Sequence, residues 1–212
     1  MQNQIDFSGL YIISDDILTP KNQLLEKIKL SLEGGAKIVQ LRDKISSDDE
    51  IEQISDDLQK LCHQYNALFV MNDRFELAIK NQYDGLHIGK SDYSNFSFIR
   101  EKFNGKIGVS CYGDIEIAKQ FELNGADYVA FGSFFNSPTK PDSNIIPLNI
   151  LEEAKKEINI PICAIGGINA TNVDVVISKG ADMVAIISDI WSNSDIKEIS
   201  KIYTNKIKGN KI

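Results

Sequence analysis

The stretch Tyr128-Val-Ala-Phe-Gly-Ser-Phe-Phe-Asn-Ser-Pro-Thr-Lys-Pro-Asp142 sets the reading of the whole chain. Its first four residues are an apolar run of strand length, and Gly132 breaks it. The loop that follows carries two hydroxyls, Ser137 and Thr139, one cation, Lys140, and two prolines that stiffen the backbone. A buried strand that empties into such a loop offers donors and positive charge at the strand end. That composition suits the grip of a phosphorylated ligand.

Working outward, the chain repeats this order: apolar run, abrupt polar residue, helical pattern. Eight runs read as strands: Leu10–Ser14, Lys37–Arg42, Ala67–Asn72, Gly85–Gly89, Lys106–Ser110, Tyr128–Gly132, Pro161–Gly166 and Met183–Ser188. Most are apolar at consecutive positions, as in parallel strands covered on both faces. Between them, Gln23–Leu32, Asp48–Tyr65, Asp114–Leu123 and Asn169–Ser178 show helical spacing. In the second, Ile51, Ile54, Leu58 and Leu61 share a face. Gly35-Ala36, Gly125-Ala126 and Gly180-Ala181 read as left-handed helix ends that lead at once into the next strand. Eight alternating units predict an α/β fold, a (β/α)8 TIM barrel, as a single domain over 1–212. A doubly wound open sheet is the alternative. It would place a glycine-rich phosphate turn after the first strand, and Ser14-Asp-Asp-Ile17 contains none.

Composition agrees with a globular α/β protein: 212 residues, 42% hydrophobic and 25% charged. A net charge of -7 argues against a general nucleic-acid binder. No apolar run approaches the ~20 residues of a membrane span. The N-terminus has no basic region followed by a long apolar one. The three cysteines, Cys62, Cys111 and Cys163, show neither metal spacing nor a disulfide framework. The expectation is a reduced, cytoplasmic protein, with a short basic tail from about 204 that reads as a solvated end. A homodimer is left open.

In a barrel, active sites gather at the carboxyl ends of the strands. Here those ends carry Gln40, Arg42 and Lys44, then Asn72, Asp73 and Arg74, then His87, Gly89 and Asp92. Ser110, the loop with Ser137, Thr139 and Lys140, Gly166-Gly167, and Ile187-Ser188 follow. Asp73 and Asp92, on adjacent strand ends, could share one divalent cation, and Mg²⁺ favours carboxylate and phosphate oxygens. Asp73 could equally be a helix cap. Arg42, Lys44 and Lys140 could neutralise a diphosphate; singly, each could be a solvated surface charge. Gly166-Gly-Ile-Asn169 before a helix, paired with Ile187-Ser188, matches a barrel phosphate site, although a Gly-Gly can be a simple tight turn. His87, between apolar neighbours, should point into the barrel, as a site residue or as a hydrogen-bonded core histidine. Loops 43–49 and 133–145 are polar and long enough to act as lids.

Together, Gln40-Leu-Arg-Asp-Lys44, Asn72-Asp-Arg74, Gly85-Leu-His-Ile-Gly89 with Asp92, Gly108-Val-Ser110, Gly132 to Lys140, Ala164-Ile-Gly-Gly-Ile168 and Ile187-Ser188 resemble the thiamine phosphate synthase family. The ordered set spans strands two to eight. The resemblance implies a transferase joining a hydroxymethylpyrimidine diphosphate to a thiazole phosphate, with release of pyrophosphate. It implies Mg²⁺ on Asp73 and Asp92, and the diphosphate on Arg42, Lys44, Asn72, Ser110 and Lys140. Gln40 would orient the pyrimidine. Ser137, Thr139, Gly167, Ile187 and Ser188 would contact the thiazole phosphate. The chain departs from the family's usual pattern at Ser133, Asn136-Ser137, Tyr112 and Lys90. Thiazole tautomerases share the barrel and the phosphate site but need neither the metal nor the diphosphate set. A Schiff-base aldolase would want a lysine within a strand. A non-catalytic binder of thiamine precursors is the remaining alternative.

Overall fold

Alternate side chains along each strand sort into two separate cores. From the first strand, β1 (Gly9–Ile13), Leu10 and Ile12 enter an outer cluster with the helices, while Tyr11 and Ile13 enter an inner one. The same split divides Phe69 and Met71 from Leu68 and Val70 on β3 (Leu68–Asn72), and Val129 and Phe131 from Tyr128 and Ala130 on β6 (Tyr128–Phe131). A strand buried on both faces reads as an unbroken apolar run, so the period of two is hidden in the sequence. Burying each such aliphatic side chain contributes about 1.5–3 kcal/mol.

The remaining strands are β2 (Ile38–Leu41), β4 (Gly85–Ile88), β5 (Lys106–Tyr112), β7 (Ile162–Ile165) and β8 (Met183–Ile186). In this computed structural model, which describes residues 7–137, 139 and 143–209, the eight strands pair in parallel and in sequence order. β1 closes on β8 through the register Tyr11 to Ala185. The (β/α)8 barrel expected from the sequence is therefore the fold. Arg42, Gly89, Gly132, Gly166 and Ser188 lie just beyond the strands expected to hold them, so these residues already belong to the mouth of the barrel.

The helices are α1 (Lys21–Glu33), α2 (Asp48–Gln64), α3 (Phe75–Asn81), α4 (Phe96–Lys102), α5 (Ile115–Leu123), α6 (Asn149–Glu157), α7 (Val173–Ser178), α8 (Ser188–Trp191) and α9 (Ile196–Gly209). A 3₁₀ turn, Lys90–Asn95, precedes α4. Helix α2 starts on a capping box between Ser47 and Glu50. Its deepest line is Ile51, Ser55, Leu58 and Cys62, with Ile54 and Leu61 only partly buried. Helix α9 runs on to Gly209, past the point where a solvated tail was expected; Lys208 and Gly209 are exposed, but the helix keeps one face packed. Tyr203 and Ile207, one helical turn apart on α9, are both buried, and the Thr204 hydroxyl donates to the Gly34 carbonyl at 3.0 Å.

The amino end of the barrel is closed by a repeated device. Asp84, Asp127 and Asp182 stand just before β4, β6 and β8. Each accepts the backbone N–H of the preceding strand, from Phe69 (3.1 Å), Ile107 (2.9 Å) and Ile162 (2.8 Å) respectively. Each also meets a basic side chain: His63, Arg100 with Lys106, and Lys155. These carboxylates tie neighbouring strands and helices together at the strand starts. Among the described residues no helix is long and apolar enough to cross a membrane.

Candidate active site

Small residues at the strand ends, Ala130, Gly132, Gly166, Gly167 and Ala185, leave room for a cavity of about 170 Å³. The β2–β5 half contributes Gln40, Arg42, Asn72, His87 and Ser110 to its lining. The β6–β8 half contributes Ser137, Thr139, Gly167, Ile187 and Ser188. Ten of the expected site residues thus meet in one cavity. Lys44, Asp73 and Asp92 do not line it; they sit on the loops that continue from β2, β3 and β4. Lys140 lies outside the described residues.

Five polar side chains, four of them part of the cavity lining, form a continuous hydrogen-bonded line across the barrel interior. Gln40 Nε2 donates to the Tyr11 hydroxyl at 2.7 Å, and the Tyr11 and Tyr128 hydroxyls are 2.9 Å apart. The Tyr128 hydroxyl lies 3.0 Å from His87 Nδ1, and His87 Nε2 lies 2.8 Å from Ser110 Oγ. Desolvation by burial pushes both phenols well above the ordinary tyrosine range, so each keeps its proton. His87 is a hydrogen-bonded core histidine, as one expectation had it, and its ring also reaches the cavity lining.

The β3 and β4 ends carry the carboxylates. Asp73 has φ 61°, in the left-handed region that costs a non-glycine residue of order 1 kcal/mol. Its N–H is held by the His87 carbonyl at 2.9 Å. The cap of α3 is Arg74, so Asp73 is not the helix cap that was one expectation for it. Its carboxylate has no hydrogen bond or ion pair among the described residues, and Oδ1 lies 3.8 Å from where a Cβ on Gly89 would stand. Asp92 is anchored to the same glycine, its N–H donating to the Gly89 carbonyl at 3.1 Å. Its carboxylate accepts from the Ser91 hydroxyl at 2.8 Å. Among the described residues no cluster of three or more His, Cys, Asp or Glu exists to enclose a metal. Two part-exposed carboxylates following neighbouring strands are donors of the kind Mg²⁺ takes, since that ion keeps water and phosphate among its ligands.

The loop between β2 and α2 is held in place. Burial pushes the Asp43 carboxyl up, but hydrogen bonds from the Ser46 hydroxyl and from the Ser46 and Ile45 N–H groups outweigh it and leave it below the usual range. Arg74 donates to the carbonyls of Asp43 (3.1 Å) and Ser46 (2.7 Å) and pairs with Asp48. Lys44 projects from this turn, and neither it nor Arg42 has an ion-pair partner among the described residues. Cations left unpaired at a mouth are available to an anionic ligand.

At the opposite side Gly167 has φ 63°, and a Cβ there would come within 2.3 Å of the Asn136 carbonyl. Only glycine lets the β6–α6 loop pass so close. That loop is pinned by Phe134 N–H to the Ile165 carbonyl and Phe135 N–H to the Gly166 carbonyl. Ser137 and Thr139 are thereby brought beside the β7 and β8 ends, with their hydroxyls 3.0 Å apart.

The sequence reading missed Tyr11 and Tyr128, which it treated as strand residues only. Ser14, Asp15, Ser133 and Ser143 also line the cavity unannounced. The available signal was alternation: Tyr11 shares parity with Ile13, and Tyr128 with Ala130 and Gly132, hence one face of each strand. Tyr112 (φ 61°) follows a register shift between Ser110 and Tyr112 that single-strand spacing does not reveal.

Residues 10–190 match the family described as thiamine monophosphate synthase. The chain is 44% identical over 185 residues to a thiamine-phosphate synthase of Wolinella succinogenes, covering 87% of this chain and 86% of that one. It is 42% identical over 193 residues to one of Alcanivorax borkumensis, covering 90% and 88%. Among solved structures it resembles a thiamine phosphate pyrophosphorylase from Pyrococcus furiosus. The TM-score is 0.88 at 31% identity, over 99% of this chain and 100% of that one.

Proposed function

This chain belongs to the thiamine monophosphate synthase family, and from that premise we propose that it is a Mg²⁺-assisted transferase joining a hydroxymethylpyrimidine diphosphate to a thiazole phosphate. The observation that carries the proposal is a single cavity with hydrogen-bonding groups on the β2–β5 side and a glycine-lined end at β7–β8, with unpaired cations at its rim. One phosphorylated substrate fits each side.

In the reaction the bond between the pyrimidine methylene and the diphosphate oxygen breaks, and its electron pair leaves with pyrophosphate. The thiazole nitrogen lone pair forms the new C–N bond, so nothing is oxidised or reduced. Arg42 and Lys44, with Lys140, bear on the charge that grows on the leaving group. Asn72 and the Ser110 hydroxyl donate hydrogen bonds to it. Gln40, fixed by Tyr11, orients the pyrimidine ring. Ser137, Thr139 and the backbone at Gly167, Ile187 and Ser188 hold the thiazole phosphate. Mg²⁺ on Asp73 and Asp92 would add charge neutralisation at the diphosphate. No protein nucleophile is needed; holding the two substrates face to face contributes the rest of the rate.

The test is pyrophosphate release from the purified protein with both substrates, with and without Mg²⁺. Metal-dependent release together with thiamine phosphate is expected. Binding of the thiazole phosphate with no release would overturn the proposal and favour a tautomerase or a non-catalytic binder. Proton exchange on a thiazole carboxylate precursor separates those two.

A further inference from the structure

Each hydroxyl in the line along the cavity floor has one hydrogen to give, and that restriction sets its direction. Tyr11 accepts from Gln40 Nε2, so its own hydrogen goes to the other neighbour, Tyr128. Tyr128 accepts it and has one remaining partner, His87 Nδ1, at 3.0 Å. A nitrogen that accepts carries no proton, so the neutral imidazole bears its hydrogen on Nε2. That hydrogen points at Ser110 Oγ, 2.8 Å away. Ser110 then accepts from the ring, and its own hydrogen is left to the cavity that its side chain lines. The two phenols are almost wholly buried, Tyr11 at 1% and Tyr128 at 0% exposure, and each finds its partners inside the barrel. No buried side-chain nitrogen or oxygen among the described residues is left without a partner.

We propose that Tyr11 and Tyr128 are positioning residues: they lock His87 in the Nε2–H tautomer and so turn the Ser110 hydroxyl into a fixed donor aimed at the bound substrate. The proposal rests on the functional reading above for the identity of that substrate, but not for the tautomer. The reverse order is a competitor. It requires the Gln40 amide to be turned over, puts the proton on Nδ1, and spends the Ser110 hydrogen on the ring instead of the ligand.

The chain has only two histidines, His63 and His87, so nitrogen-15 spectra of the whole protein can be assigned with a His63→Gln variant. At about pH 8, where an unperturbed imidazole is neutral, His87 is expected to show a bare Nδ1 and a protonated Nε2. A protonated Nδ1 overturns the proposal. The second arm is a double-mutant cycle on turnover with Tyr128→Phe, Ser110→Ala and the pair. Tyr128→Phe is expected to slow turnover roughly ten-fold, and the pair to be no slower than Ser110→Ala alone, because one residue acts through the other. Multiplied losses would mean that Tyr128 only supports the fold, and the proposal fails. If Tyr128→Phe does not fold, Tyr11→Phe, which removes the donor to Tyr128, replaces it in the cycle. Should the wild-type protein release no pyrophosphate, the functional reading fails by itself and the tautomer alone decides the relay.

Discussion

The ring of Tyr128 occupies the space that a side chain on Gly108 would fill. A Cβ on Gly108 would stand 1.9 Å from Tyr128 Cζ and 2.3 Å from its hydroxyl oxygen. The absent side chain on β5 is what lets the β6 tyrosine reach across to Tyr11 and His87. Gly108→Ala must therefore displace the ring. The expected loss is about 1–3 kcal/mol from overpacking, together with turnover reduced as in Tyr128→Phe. Thermal denaturation and initial rates on the same preparation check both; an unchanged melting temperature contradicts the packing argument.

Asp182 joins two strands and a helix from one carboxylate: Oδ2 accepts the Ile162 N–H at 2.8 Å and lies 2.9 Å from Lys155 Nζ. Asp182→Ala leaves that N–H without its acceptor at a sheltered strand start, at a cost of about 2 kcal/mol. The site is at the other end of the barrel, so turnover at saturating substrate should hold. A urea titration should move the midpoint down with the slope unchanged.

The two ends of the active site should separate in kinetics. Asp73→Ala is expected to lower turnover at least ~100-fold with the thiazole phosphate KM little changed, and excess Mg²⁺ should not restore it. Ser188→Ala should raise the thiazole phosphate KM about ten-fold and leave the pyrimidine KM alone. Swapped effects would exchange the two substrate assignments.

The thiols should be silent. Burial, with the nearby charge of Asp84, pushes the Cys62 thiol up to about 12. Burial with Asp114 nearby pushes Cys111 up to about 12, and burial raises Cys163 as well. All three are buried. A thiol reagent at about pH 8 should find none in the folded protein and three after denaturation. The sign for stability follows. A folded value raised above the unfolded 9.0 means that the folded state holds the proton more tightly. That contribution is complete below about pH 9 and is lost as pH rises toward 12. Melting temperature against pH should be level near neutrality and fall across that window.

Much of the site was legible in the sequence because strand ends carry their own punctuation. Gln40 through Lys44, Asn72 through Arg74 and Gly166-Gly167 each follow an apolar run at once, and the barrel rule points all of them to one mouth. The lower layer was not legible. Tyr11 and Tyr128 lie 117 positions apart, and nothing near either one announces a partner. Nor was the role of Arg74, whose contacts with Asp43 and Ser46 depend on how two loops lie together. The continuation of α9 through residues 204–209 was missed for a local reason: the lysines there were weighed, and the helical spacing of Tyr203 and Ile207 was not.

The sequence by itself determined the number and order of the βα units, the strand ends at which its polar residues gather, and the family. Hydrophobic periodicity and turn residues are local properties of the chain and need no partner to be read. Closure of β1 on β8 decided the rest. It brought Gln40, Tyr11, Tyr128, His87 and Ser110 into one hydrogen-bonded line along the cavity. Hydrogen-bond direction and cavity shape depend on distances across the barrel, and those exist only once the sheet has closed.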